Sequence, residues 1–117
     1  MILSFMRGIR MNLEIDIKRE KKVSYVHLKG EIDAYTAPAL KNKLAPISEE
    51  SEPFIEVNLK DVEYMDSTGL GVFVGLLKTV RKQGGKLKLI NLSPRLERLF
   101  HITGLDSIIE ISRKGED

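Results

Sequence analysis

The sequence has no cysteine. That excludes disulfides, thiolate catalysis and cysteine-held metal, and it is compatible with a reducing compartment. No apolar run approaches the ~20 residues a helix needs to cross a bilayer, so no membrane association is expected. Charge of one sign is missing too. Nineteen Lys and Arg stand against seventeen Asp and Glu, a formal net charge of +2, too even to argue for nucleic acid. Catalytic signatures are equally scarce: there is no Walker A segment, dinucleotide fingerprint, metal-binding histidine pair or calcium loop, and no Gly-x-Ser-x-Gly elbow surrounds Ser67. His27 falls inside a strand pattern and His101 adjoins what reads as the buried end of a helix, so a Ser-His-acid site would require an unusual convergence. Glu31, Asp33 and Asp66 can hold a hard cation only if the fold clusters them. The expectation is therefore no enzyme, no metal and no cofactor.

What is present suits one domain. A chain of 117 residues can bury a core without disulfides or metal. In Met1–Arg10 the bases follow the apolar residues and no small-residue cleavage site appears. Residues 1–10 therefore read as a disordered N-terminal extension, with the domain occupying 11–117.

Leu13, Ile15 and Ile17 alternate with Glu14, Asp16 and Lys18, the period-two signature of a half-buried strand. A polar turn at residues 19–22 leads to a second strand from Val23 to Leu28, ending at Gly30, so the pair reads as an antiparallel hairpin. Glu31-Ile32-Asp33 form a loop. Thr36 can cap a helix carrying Pro38 in its first turn, with Leu40, Leu44 and Ile47 at helical spacing, and Pro46 should kink or end it. Phe54–Leu59 is a third strand and a helix from the Asp66-Ser67 region runs to about Gln83, where Gly84-Gly85 stop it. Leu87, Leu89 and Ile90 make a fourth strand. Ser93-Pro94 opens a helix with Leu96, Leu99 and Phe100 on its buried stripe, and Gly104 lies just past its end. Ile108–Ile111 adds a last short strand, followed by a charged, mobile tail. Strands alternating with helices after a hairpin predict an α/β sheet with parallel strands and right-handed crossovers. Loops at the carboxyl ends of such strands gather at one edge, which draws Glu31–Asp33 towards Asp66–Thr68.

Met65-Asp66-Ser67-Thr68-Gly69-Leu70-Gly71 is the stretch least explained by folding alone. It places Asp66 and Ser67 at a helix start, where unpaired amides and the macrodipole favour an anion or phosphate. Asp, Ser and Thr are also ordinary capping residues. Along the helix, Leu70, Phe73, Leu77 and Val80 form the core face, while Ser67, Gly71, Gly75, Lys78 and Lys82 run down the opposite side. Each glycine costs roughly 1 kcal/mol against Ala in a helix interior. Either the protein's own elements pack closely there or another surface does.

Four segments resemble, in family order, motifs of the anti-sigma factor antagonists, single STAS domains of bacterial partner-switching systems. They are Gly30-Glu31-Ile32-Asp33, Tyr64 through Gly71, Gly84-Gly85, and Leu99-Phe100-His101-Ile102-Thr103-Gly104-Leu105. The likeness spans roughly Met11 to Ile111, and around the serine it looks most like the general-stress sigma-B branch. His101 departs from the pattern, standing where an acid is common. The resemblance implies a STAS-type mixed β-sheet of four to five strands and a cytoplasmic switch. Ser67 would be phosphorylated by the anti-sigma factor, an ATP-dependent serine kinase, with Thr68 ranking second. The unphosphorylated form would bind that kinase and free the sigma factor, and a PP2C-type phosphatase would reset it. Asp33 and Asp66 match family acids near the serine, with Asp66 the better placed to orient its hydroxyl. The expected partner-binding set is Asp33, Asp66, Ser67, Thr68, Gly71, Gly75 and Lys78. The alternative is a constitutive STAS scaffold in a larger signalling assembly, with Ser67 only capping.

Overall fold

Alternation of apolar and charged residues produces β1 (Leu13–Glu20), with Leu13, Ile15 and Ile17 half-buried and their neighbours exposed. The structure, a computed structural model, describes residues 12–112. The expected extension at 1–10 and the tail from residue 113 onward lie outside the described residues. A two-residue turn follows β1, with Lys21 at φ 57°, the region that hairpin turns matching strand twist use. The chain then returns as β2 (Val23–Ile32), antiparallel to β1 from Glu20↔Val23 to Leu13↔Gly30.

From there helices and strands alternate: α1 (Ala37–Ser48), β3 (Phe54–Met65), α2 (Ser67–Lys82), β4 (Lys86–Ile90), α3 (Pro94–Ile102), a 3₁₀ turn (Leu105–Ser107) and β5 (Glu110–Ser112). The five strands lie in sequence order, and every pairing after the hairpin is parallel. One face of the sheet, carrying Val26, Leu28, Ile55, Val57 and Leu89, is buried in the core. On that side Phe73 of α2 and Phe100 of α3 meet edge to face with ring centroids 6.3 Å apart, a favoured geometry for aromatic quadrupoles. The intervening residues Tyr25, His27, Lys29 and Glu56 project from the other face and keep partial or full solvent contact. There His27 Nε2 lies 2.7 Å from Asp61 Oδ2.

Several boundaries differ from the sequence expectation for identifiable reasons. The second strand continues past Gly30 to Ile32, and the third runs from Phe54 through Met65 instead of stopping at Leu59. Register shifts at His27/Lys29 and Gly30/Glu31 keep the two strands paired after the regular alternation breaks. Pro46 does not end α1 at once. Its missing N–H falls in the last turn, and the helix closes two residues later at Ser48, whose hydroxyl donates to Ala45 O at 2.9 Å. The last strand is Glu110–Ser112, because Leu105–Ser107 takes up a 3₁₀ turn and the Ile108 carbonyl accepts a bond from Arg81 at 2.9 Å. Ser112 is thus the end of a strand, not the start of a tail.

Candidate functional site

The start of α2 is held by Asp66. Its backbone is extended, its Oδ1 accepts from Gly69 N at 3.1 Å and its carbonyl accepts from Leu70 N at 3.0 Å, the geometry of an N-cap. The Asp66 N–H donates to Ile32 O at 3.3 Å. This ties the helix start to the end of β2, so the expected convergence of the two loops is real. Gly69 makes that approach feasible: a Cβ there would sit 2.8 Å from Ile32 O and from the Met65 side chain.

The facing loop after β2 is held by Asp33 and Thr36. Asp33 Oδ1 accepts from Tyr35 N at 2.9 Å and from Thr36 N at 3.1 Å, while the fully buried Thr36 hydroxyl accepts from Asp33 N and donates to Glu31 O, both at 2.9 Å. Thr36 therefore does not cap α1 through its side chain as its residue type suggests. It adopts helical dihedrals with no side-chain cap bond, because its hydroxyl is engaged in the loop. Asp33→Ala is expected to lower stability by about 1–3 kcal/mol by removing two charge-assisted bonds, and Asp33→Asn by less. Urea denaturation of the two variants against the parent checks this.

Ser67 is the first residue of α2. It is exposed, as is Thr68, and its hydroxyl makes no hydrogen bond among the described residues. Since Asp66 performs the capping, the serine is left open to solvent. Below it Gly71, Gly75 and Lys78 are exposed along the same helix. A Cβ built on either Gly71 or Gly75 meets nothing within 4 Å. Close packing against the protein's own described elements thus does not account for these glycines. They border an open trough of about 800 Å³ between α1 and α2, which also includes Ala37, Lys41, Ala45 and Leu76.

The other candidate chemistry disperses. Glu31 is a β2 residue paired with Tyr64. Among the described residues no group of three or more His, Asp or Glu side chains is arranged to hold a metal ion. His101 is exposed next to the buried Phe100, and its Nδ1 lies 2.9 Å from Asp106 Oδ2. Two residues to which the sequence assigned no site role stand at this edge. Tyr35 is 66% exposed and Tyr64 45% exposed, the first beside Asp33 and the second two residues before Asp66. Tyr64 was detectable, since strand alternation about the buried Met65 turns it outward.

Residues 14–117 match the STAS domain family. The chain belongs to that family. This STAS domain is 57% identical over 106 residues to the anti-sigma-B factor antagonist of Bacillus subtilis, covering 91% of this chain and 96% of that one. It is 49% identical over 108 residues to the anti-sigma-B factor antagonist of Listeria monocytogenes, covering 91% and 95%. The crystal structure of an anti-sigma factor antagonist from Mycobacterium paratuberculosis aligns with a TM-score of 0.77 at 29% identity, over 86% of this chain and 85% of the other. The five-stranded sheet with its leading antiparallel hairpin is the STAS fold.

Proposed function

We propose that this STAS domain is an anti-sigma factor antagonist switched by phosphorylation of Ser67. The unphosphorylated form binds an anti-sigma factor that is itself a serine kinase and so releases the sigma factor, in the cytoplasm. Phosphorylation ends the complex, and a PP2C-type phosphatase restores it. The observation that carries this reading is the unengaged, exposed Ser67 hydroxyl at the first position of α2, with Asp66 holding the cap in its place. Likeness to named anti-sigma-B factor antagonists across nine-tenths of the chain supports the class of partner.

The mechanism follows from charge. A phosphate brings about −1.5 to −2 units. At a helix N-terminus in the free protein this is tolerated, because amide donors and the macrodipole face it and water surrounds it. In an interface pressed against Ser67 and the bare backbone of Gly71, the same charge is stripped of water beside Asp66. Binding is lost while the fold stands.

We assign Tyr35, exposed at the same strand edge, as an aromatic anchor for the partner, since rigid aromatics desolvate a large area at small entropic cost and are enriched among binding hot spots. Tyr35→Ala is expected to weaken the kinase complex by about 1–3 kcal/mol with little change in melting temperature. Calorimetric titration and a thermal melt read the two effects separately.

The direct test is incubation with the cognate anti-sigma kinase and ATP, followed by intact mass. One added phosphate that disappears in Ser67→Ala is expected. A phosphate surviving in Ser67→Ala moves the acceptor to Thr68, and no phosphate at all favours a constitutive interaction module.

A further inference from the structure

We infer that the trough between α1 and α2 seats an amphipathic helix of the partner, with acidic side chains placed for Lys41 and Lys78. This rests on the reading that a protein partner covers Ser67, and it specifies what that partner must present. Both helices follow β-strands of the same parallel set, so they run side by side with their N-termini at the Ser67 edge. The trough extends along α2 from Thr68 to Thr79. At 1.5 Å rise per residue that is roughly 16 Å, or about three helical turns.

Its form suits a helix. Ala37 and Ala45 on one bank and Gly71 and Gly75 on the other are small, and the space over the glycines is unobstructed. Small residues let a helix backbone approach closely, and the half-buried Val72 on the lining offers apolar surface to an amphipathic face. Charge on the banks selects the occupant. Lys41 and Lys78 are exposed on opposite helices, and the single acid on the lining, Glu49, lies at the end away from Ser67. An occupant with apolar residues at i, i+3 and i+4 and flanking Asp or Glu complements this arrangement. The trough begins at Thr68, next to the modified residue, so a phosphate on Ser67 repels an acidic occupant directly.

The test uses full-length Ser67→Ala protein and its cognate anti-sigma kinase with ADP. Gly75→Leu fills the trough at an exposed helical position with open space around it, so its melting temperature should equal or exceed the parent's. Affinity should nevertheless fall at least thirtyfold. Lys41→Glu combined with Lys78→Glu should weaken binding at least tenfold and flatten its dependence on salt. Because the chain has no cysteine, Gly75→Cys supplies one thiol for a photo-cross-linker. The cross-link should map to a partner segment with helical apolar spacing and acidic flanks. Gly75→Leu binding within twofold of the parent, tighter binding by the double Glu variant, or a cross-link that maps to a loop, maps to a second copy of this chain or fails to form overturns the inference. If the kinase supplied with ATP still phosphorylates Ser67 of the parent sequence in those cases, the proposed function survives the loss of the helix. If neither binding nor phosphorylation is found for the parent sequence, both fall together.

Discussion

Phosphorylation of Ser67 is expected to weaken the complex with the anti-sigma kinase about a thousandfold, which corresponds to about 4 kcal/mol. Ser67→Ala should bind as the unmodified protein does, and Ser67→Glu should fall between, since one carboxylate carries less charge than a phosphate. The size follows from the penalty for leaving a charge buried and uncompensated, about 3–5 kcal/mol in protein interiors. Asp66 adds to the repulsion. Its Oδ1 is committed to the Gly69 amide, so it cannot turn away without breaking the cap. The melting temperature of the phosphorylated protein should stay close to that of the parent, because the serine is exposed and carries no structural bond. Calorimetric titration of the three forms against the kinase with ADP, alongside their melts, decides the matter. Indistinguishable affinities for the Ala and Glu variants would remove charge as the basis of the switch.

The second large effect concerns the fold. Gly85→Ala is expected to cost about 4 kcal/mol or more, at the far tail of single substitutions and a large part of a typical domain's 5–15 kcal/mol. The end of α2 closes through a Schellman motif: Gly84 N donates to Arg81 O at 3.0 Å and Gly85 N to Val80 O at 2.9 Å. At the same point β4 starts beside β3, with Lys86 N donating to Pro53 O at 2.7 Å. A Cβ on Gly85 would collide with the Pro53 carbonyl oxygen and lie 2.6 Å from the Pro53 nitrogen. Both obstacles are backbone, so no rotamer change relieves them. Gly84→Ala is the control. Its φ of 76° penalises a side chain, but the nearest neighbour is a flexible Glu52 side-chain atom at 3.8 Å, so roughly 1 kcal/mol is expected there. Urea denaturation ranks the two, and a loss below 1 kcal/mol for Gly85→Ala would mean that the β3–β4 junction yields more readily than its contacts indicate.

Much of this architecture was legible in the sequence because local periodicity and tertiary burial coincide. The alternation at Leu13–Ile17, the stripe of Leu70, Phe73, Leu77 and Val80, the Ser93-Pro94 start and the Gly84-Gly85 stop all reappear. The misreadings occur where one signal hides another. The residues after Leu59 read as a short connection, yet they continue β3 to Met65, since pairing with β2 is made by backbone and leaves Lys60, Glu63 and Tyr64 facing solvent. Thr36 has the residue type of a cap, but its hydroxyl serves Asp33 and Glu31. For the site, the helix start and its exposed side were readable from spacing along one element. The trough was not, because it exists only where α1 and α2 lie together, and no window of sequence contains both banks. Tyr35 escaped notice for the same reason: its exposure beside Asp33 depends on how the loop after β2 is folded.

Asp66 anchors the helix and Ser67, one residue on, anchors nothing. Under the proposed switch, transposing the two side chains would leave a folded domain that is a poor substrate for the kinase, because the hydroxyl would then be occupied in the turn. Under the same switch, placing the acceptor hydroxyl next to the capping carboxylate, instead of combining them, lets the molecule be marked and cleared with its helix cap intact.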